Sequence, residues 1–271
     1  METVNQQEQR HALINQRETT WYPEPARLAL LSELHAIATD PARHRTRSIA
    51  IVSESNGGKS ALIARYLYLH PPVYGKEAVI IPAIRLTMTD FPRVSDLSVA
   101  LLTAIGAPGA ESGTHAARMG RFVELARKVK LGLIFLDEFH DCAGTDGRGR
   151  PFLRCIKALI LQGLCVVPVG TEDLAAILSL DSQLNTRFNF SRGRLTRLRD
   201  AGVVKALVME ITKLDDHEVT HAAVKYLLAE SKGIMGHLLD FMEGTLLAHG
   251  NLKLESLRQY RPYMDVLDRV V

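Results

Sequence analysis

Cysteine is scarce in this chain of 271 residues: there are three, Cys142, Cys155 and Cys165. Their spacing fits no metal-ligand pattern, and unpaired thiols suit a reducing compartment better than a disulfide framework. An excess of one charge is also lacking. The formal net charge is +3, too small by itself to argue for a nucleic-acid partner. Long hydrophobic runs are missing as well. The most apolar stretch, residues 155–170, is interrupted by Lys157, Gln162 and Pro168, whereas a bilayer-spanning helix needs about 20 apolar residues. The opening residues Met1-Glu2-Thr3-Val4-Asn5-Gln6-Gln7 are polar and carry no apolar signal segment. A cytoplasmic protein without a membrane partner is therefore expected. The length suits one large or two modest domains.

Residues 1–20 are polar and read as a mobile arm. Trp21-Tyr22-Pro23-Glu24-Pro25 reads as an extended anchor. Leu28, Leu31, Leu34 and Ile37 then recur at helical spacing, predicting a helix with one apolar face that ends at Asp40-Pro41. Basic residues Arg43, His44, Arg45 and Arg47 lead into the apolar run of residues 48–52. Further strands are expected over residues 78–86, 131–136 and 165–169, with helices over about 94–105 and 114–130. The second of these helices is basic on one side through Arg118, Arg121, Lys128 and Lys130. Strands alternating with helices predict an α/β fold with a parallel sheet and right-handed crossovers. From about Leu214 onward the pattern is helical only.

What the chain does have is a phosphate loop. Ser53-Glu54-Ser55-Asn56-Gly57-Gly58-Lys59-Ser60 lies between the apolar run and a helical pattern. It matches G-x-x-x-x-G-K-[ST] except that Ser53 replaces the first glycine. In such a loop, backbone N–H groups wrap a polyphosphate at a helix N-terminus. Lys59 would reach the β- and γ-phosphates, and the Ser60 hydroxyl would coordinate Mg²⁺. A second signature, Leu133-Ile134-Phe135-Leu136-Asp137-Glu138, is an apolar strand ending in two acids. Asp137 would hold the metal, and Glu138 would polarise the attacking water. Thr171, at the end of the next strand, is placed to sense the γ-phosphate or to cap the helix that follows. Arg187 lies in a stretch crowded with Arg192, Arg194, Arg197 and Arg199. His140, separated from the two acids by Phe139, is placed to orient Glu138 or to sense the nucleotide, whereas His35 and His221 read as ordinary surface or core histidines.

These residues resemble the AAA+ transposition ATPases of the TniB/TnsC type from about Trp21 to Gly244. The resemblance is carried by Trp21-Tyr22-Pro23, Pro41 to Arg45, Ser55-Asn56-Gly57-Gly58-Lys59-Ser60 and Leu136-Asp137-Glu138-Phe139-His140. It continues in Val169-Gly170-Thr171-Glu172, Thr186-Arg187-Phe188 and Gly233-Ile234-Met235-Gly236-His237-Leu238. It implies a P-loop AAA+ three-layer α/β core with a parallel five-stranded sheet over residues 21–205, and a small C-terminal α-helical lid over 206–271. It further implies ATP and Mg²⁺ as cofactors. Ser55 to Ser60, Asp137 and His237 would bind nucleotide, Glu138, Thr171 and Arg187 would serve hydrolysis, and Arg187 would act on a neighbouring subunit's ATP. Such proteins form homo-oligomeric rings or helical filaments on double-stranded DNA. They link a TniQ-type target selector to a DDE transposase, and hydrolysis lets the assembly come apart.

DNA contacts are expected between the second and third strands, at Arg93, Thr114 and Arg118, because a filament that tracks the backbone needs phosphate contacts and no base readout. Two departures from the family pattern bear on turnover: Ser53, and His237 where related lids often carry a basic residue. Both leave room for a nucleotide-gated scaffold with negligible hydrolysis. A helicase loader or signalling ATPase is a third reading, disfavoured because only about 60 residues follow the core, enough for a helical lid and no winged helix.

Overall fold

The computed structural model describes residues 4–39, 48–76, 78–91, 93–142 and 149–260. Asp40-Pro41 and the basic residues Arg43, His44, Arg45 and Arg47 lie outside the described residues. The chain divides into two units, one of residues Pro25–Leu195 and one joining residues up to Glu24 with those from Thr196 onward.

The second of these units begins with a departure from the sequence pattern. Instead of a mobile arm, residues Val4–Thr19 form a helix, α1. Its polar sequence is held by charge, since Arg17 donates to both Asp240 and Glu243 at 2.7 Å.

In the unit Pro25–Leu195, α2 (Pro25–Thr39) comes first. Its buried stripe is Arg27, Leu30, Leu31 and Leu34, and Leu28, expected on the apolar face, is exposed. The 3.6-residue period allows either stripe through Leu31 and Leu34. A charged residue at the centre of the true one hid it from a reading based on hydrophobicity.

The apolar run of residues 48–52 forms β1 (Ser48–Ile49) and β2 (Ile51–Val52), with a break at Ala50. After α3 (Lys59–Leu69), β3 (Val73–Tyr74) pairs antiparallel with β4 (Val79–Ile80). The strand expected over 78–86 is thus two elements. Pro82 has no N–H to extend a ladder, and β5 (Ala83–Thr87) starts after it. Then come α4 (Val94–Ala104), α5 (His115–Lys128), β6 (Leu133–Asp137), α6 (Phe139–Cys142), α7 (Arg150–Leu161) and β7 (Cys165–Gly170). The unit closes with α8 (Asp173–Ser179), α9 (Ser182–Asn185) and β8 (Phe188–Asn189).

The parallel ladders run β2-β7-β6-β5 and β1-β8. With β1 and β2 taken as one interrupted strand, the order is β8, β1/β2, β7, β6, β5. Every residue of β6 and β7 is buried, as parallel strands covered on both faces require. The side chains of β6 alternate. Ile134 and Leu136 join the cluster containing Leu101, Phe122 and Ile156, whereas Phe135 meets Tyr66 of α3 edge-on at 5.4 Å. Helices therefore cover both faces, giving the three-layer α/β core.

The other unit packs α1 on α10 (Ala201–Thr212) and α12 (Met235–His249), with α11 (His221–Glu230) and α13 (Leu254–Gln259) completing it. Its core includes Val204, Val208, Val224, Leu227, Leu238 and Met242, with Tyr22 against it. The domain boundary expected at 205/206 falls inside α10, and the units instead divide between Leu195 and Thr196. Asp200 caps α10 by accepting from Gly202 and Val203. Gly233 has φ +72°, and a Cβ there would collide with the Leu198 carbonyl, so the turn before α12 depends on glycine.

Candidate functional site

β2, β7 and β6 are neighbours, so their C-terminal ends lie side by side. The phosphate loop follows β2, Asp137 ends β6, and Thr171 follows β7. Ser53 N–H donates to the Gly170 carbonyl at 3.2 Å, tying the loop to the end of β7. This is the edge of an open parallel sheet where ligands gather.

Within the loop, Asn56 (φ +58°) and Gly58 (φ +88°) take left-handed backbone, while Ser53 does not. Serine is therefore tolerated at the first glycine position, and the loop's positive-φ demand is met elsewhere. Lys59 is buried, with Nζ 3.2 Å from the Glu54 carbonyl, 3.4 Å from the Ser53 carbonyl and 3.5 Å from Ser53 Oγ. Its ammonium is enclosed by oxygens of the loop it belongs to, which offsets the cost of burying charge. Lys59 also opens α3, whose N-terminal N–H groups add partial positive charge.

Asp137 is 0% exposed. Its Oδ1 accepts from the Glu138 N–H at 3.0 Å. Its Oδ2 accepts from Ser60 Oγ at 3.2 Å and from Arg85 at 2.6 Å. The structure thus brings the last loop residue and the strand-end acid, separated by 77 positions, into direct contact. The Ser60 and Asp137 oxygens suit a hard divalent cation. Adjacent ligands of an octahedral magnesium ion with bonds of about 2.0–2.1 Å sit roughly 3 Å apart. Among the described residues no group of three or more His, Cys, Asp or Glu side chains forms a metal site, so water and ligand oxygens would have to complete the shell.

Glu138 adopts φ +52°, an uncommon conformation for a residue with a side chain. His140 Nδ1 lies 3.4 Å from Glu138 Oε2, and Nε2 lies 3.5 Å from Asp141 Oδ1. The first contact lacks hydrogen-bond geometry, leaving His140 Nδ1 buried without a bonded partner. Thr171 Oγ1 is likewise buried and unpartnered. The capping alternative for Thr171 does not hold, because Glu172 occupies the N-cap of α8 and no side chain caps it.

The backbone of Arg187 is fixed by Leu184 and Ser48, while its side chain makes no hydrogen bond or ion pair among the described residues. His237 is the third residue of α12, in the unit that contains residues from Thr196 onward. Of the three expected DNA contacts, Arg93 is exposed and faces Asp96 at 3.6 Å. The Thr114 hydroxyl caps α5 by accepting from Ala117 N–H. Arg118 is committed within the protein: it donates to Ser98 Oγ and to the Ser95, Glu111 and Gly113 carbonyls. It staples the loop before α5, so a phosphate contact there would have to compete with these bonds.

Two residues at this site escaped the sequence reading. Arg85 supplies the positive charge beside Asp137. Arg27 of α2 is buried, 5% exposed, and donates to the Gly57 carbonyl at 2.9 Å and, at 3.4 Å, to the Gly58 carbonyl.

The fold is that of the AAA+ ATPases. Orc1 of Aeropyrum pernix, solved in complex with DNA, superposes with a TM-score of 0.62 at 15% identity, over 92% of this chain and 68% of that one. Domain III of the Thermotoga maritima replication initiation protein DnaA gives 0.53 at 14% identity, over 88% and 92%. AMPPCP-bound DnaA from Aquifex aeolicus gives 0.52 at 12% identity, over 92% and 68%. At these identities the likeness establishes the fold alone. No curated protein matches the chain. The model of the bacterial TniB protein family matches residues 10–195, and the chain belongs to that family.

Proposed function

We propose that this protein is an ATP-dependent transposition regulator. In this reading it binds ATP and Mg²⁺ at the loop of residues 53–60 and assembles as a ring or helical filament on double-stranded DNA. There it links a TniQ-type target selector to a DDE transposase, and slow hydrolysis releases the assembly. The observation that carries the nucleotide reading is the 3.2 Å contact between Ser60 Oγ and Asp137 Oδ2 beside the enclosed Lys59. Family membership supports the role in transposition. The DNA-complexed Orc1 relative supports the DNA partner, and the AMPPCP-bound DnaA relative supports the nucleotide.

Magnesium bound between Ser60 and Asp137 would neutralise charge on the phosphate oxygens. Ser55, Asn56, Gly57 and Gly58 turn backbone N–H groups toward the phosphates, and Lys59 bridges the outer two. Glu138 accepts a proton from the attacking water, with His140 Nδ1 3.4 Å from its carboxylate, close enough to orient it once a hydrogen bond forms. Thr171, whose hydroxyl is buried and unpartnered, donates to the γ-phosphate. Arg187 serves the ATP of a neighbouring copy, and His237 works as a lid contact. Arg93 is the leading DNA contact of the three expected.

Glu138→Gln tests the chemistry. It should keep ATP binding while turnover falls about 10²- to 10⁴-fold, the usual range for removing a general base. Normal hydrolysis by that variant would overturn the role given to Glu138. Electron microscopy with duplex DNA tests the assembly. Rings or filaments that require a non-hydrolysable ATP analogue are expected. Monomers with and without the analogue would count against a protein that assembles on DNA by itself.

A further inference from the structure

The buried arginine of α2 has no part in the nucleotide roles above, yet it reaches the phosphate loop. Arg27 donates through one nitrogen to the Gly57 carbonyl at 2.9 Å and through the other to the Gly58 carbonyl at 3.4 Å. Gly58 leaves the space for it, since a Cβ at that position would lie 2.7 Å from the nearer guanidinium nitrogen. The Gly58 carbonyl also accepts the first helical bond of α3, from Leu62 N–H at 3.1 Å.

In a trans peptide the C=O and the N–H of one plane point in opposite directions. There are no cis peptides among the described residues. Fixing the Gly57 carbonyl toward Arg27 therefore directs the Gly58 N–H away from it. Fixing the Gly58 carbonyl does the same for the Lys59 N–H. Those two N–H groups are then turned toward the side of the loop away from Arg27, where an anion at the start of α3 would meet them. The planar fork of arginine can engage two neighbouring carbonyls at once, which a lysine ammonium on a flexible stem does not reproduce.

We infer that Arg27 is a positioning residue for phosphate binding: it pins two successive peptide planes of the loop so that their N–H groups face a di- or triphosphate. The inference rests on the nucleotide reading and assigns to α2 a part of that site. Its effect falls on affinity for the phosphate chain and leaves the chemical step alone, because Arg27 lies behind the loop and Glu138 acts at the end of β6.

The test compares wild type, Arg27→Met, Arg27→Lys and Lys59→Ala. Binding of a fluorescent ADP, displacement by inorganic pyrophosphate, and the urea midpoint are measured for each. Both Arg27 variants should weaken ADP and pyrophosphate by the same factor, roughly 10-fold or more, since hydrogen bonds to charged groups are at stake. KM for ATP should rise by a similar factor with kcat within about twofold. A role confined to holding α2 in place would instead lower the urea midpoint and leave both affinities unchanged, which would overturn the inference. If Arg27→Met does not fold, Arg27→Lys decides: reduced affinity in a folded chain supports the inference, and wild-type affinity overturns it. A wild-type chain that binds ADP and pyrophosphate no better than Lys59→Ala would overturn the nucleotide reading, and this inference with it. Binding that is lost in Lys59→Ala but intact in both Arg27 variants would overturn the inference alone.

Discussion

The two units bury different kinds of residue. In Pro25–Leu195 the buried polar set includes Arg27, Lys59 and Asp137, three formal charges clustered at the C-terminal edge of the sheet. Among the described residues of the unit that runs from Thr196 onward, the buried polar residues are Ser231 and Thr245. Both satisfy their hydroxyls on carbonyls of their own helical segment, Leu228 and Phe241. One unit is thus held by apolar packing with hydroxyls folded back on the backbone. The other adds buried charges, each of which needs a partner and has one. Burying a charge costs several kcal/mol before compensation, so a cluster of compensated charges at a sheet edge is the part of the molecule proposed above to meet a charged ligand.

The contrast can be broken most sharply at Arg85. Arg85→Met leaves Asp137 buried without its cation, and a loss of about 3–5 kcal/mol is expected for breaking such a pair. Urea denaturation measures it. The double variant Arg85→Met with Asp137→Asn should recover most of that loss, because charge and partner leave together. A double variant as unstable as the single one would mean that Arg85 matters by packing.

In the helical unit the comparable test is Leu238→Ala, where the loss of a buried side chain with 0% exposure should cost about 2–5 kcal/mol. No cation or second substitution should rescue it, unlike the pair at Arg85.

Much of this division was legible in the sequence, and the reason is physical. The phosphate loop and the strand ending in Asp137-Glu138 announce themselves because their chemistry is local: a tight turn, a helix start, an apolar run of fixed length. The all-helical character from about Leu214 onward was legible too, whereas α10 (Ala201–Thr212) was not placed. Arg27 and Arg85 were not legible, since an arginine's importance here depends on a partner about 30 and 52 positions away. Helix α1 was hidden because Arg17 reaches partners more than 220 positions away, where no local pattern records them. The split of the second strand is invisible to hydrophobicity because Pro82 sits inside an apolar run, yet its missing N–H decides where the ladder starts.

A smaller effect is expected at Asp181. It caps α9, which leads to Arg187, by accepting from the Gln183 and Leu184 N–H groups, and it pairs with Lys157 at 3.2 Å. Although partial burial works the other way, the hydrogen bond from Lys157 and those from the cap hold its carboxyl below the usual value. A depressed folded pKa gives stability that is present above the unfolded value and is lost as pH falls through the folded one. Asp181→Ala should therefore cost about 1 kcal/mol near neutrality, and the difference from wild type should begin to shrink only as pH falls below about 4 and fade as it passes through the lowered folded value.

The smallest effect is expected at the thiols. Burial pushes Cys155 up to about 12 and Cys165 up to about 11. At pH 8 neither should react with a maleimide until the chain is unfolded, which mass spectrometry reads directly.

The most direct test of the buried-charge cluster as a nucleotide site is calorimetric titration of ATP in magnesium into wild type, Lys59→Ala and Asp137→Asn. Saturable one-site binding by wild type is expected, with none detectable for Lys59→Ala and a weakened, less magnesium-dependent affinity for Asp137→Asn. Equal binding by all three chains, or by none, would mean that the charges at this sheet edge serve the fold and not a ligand.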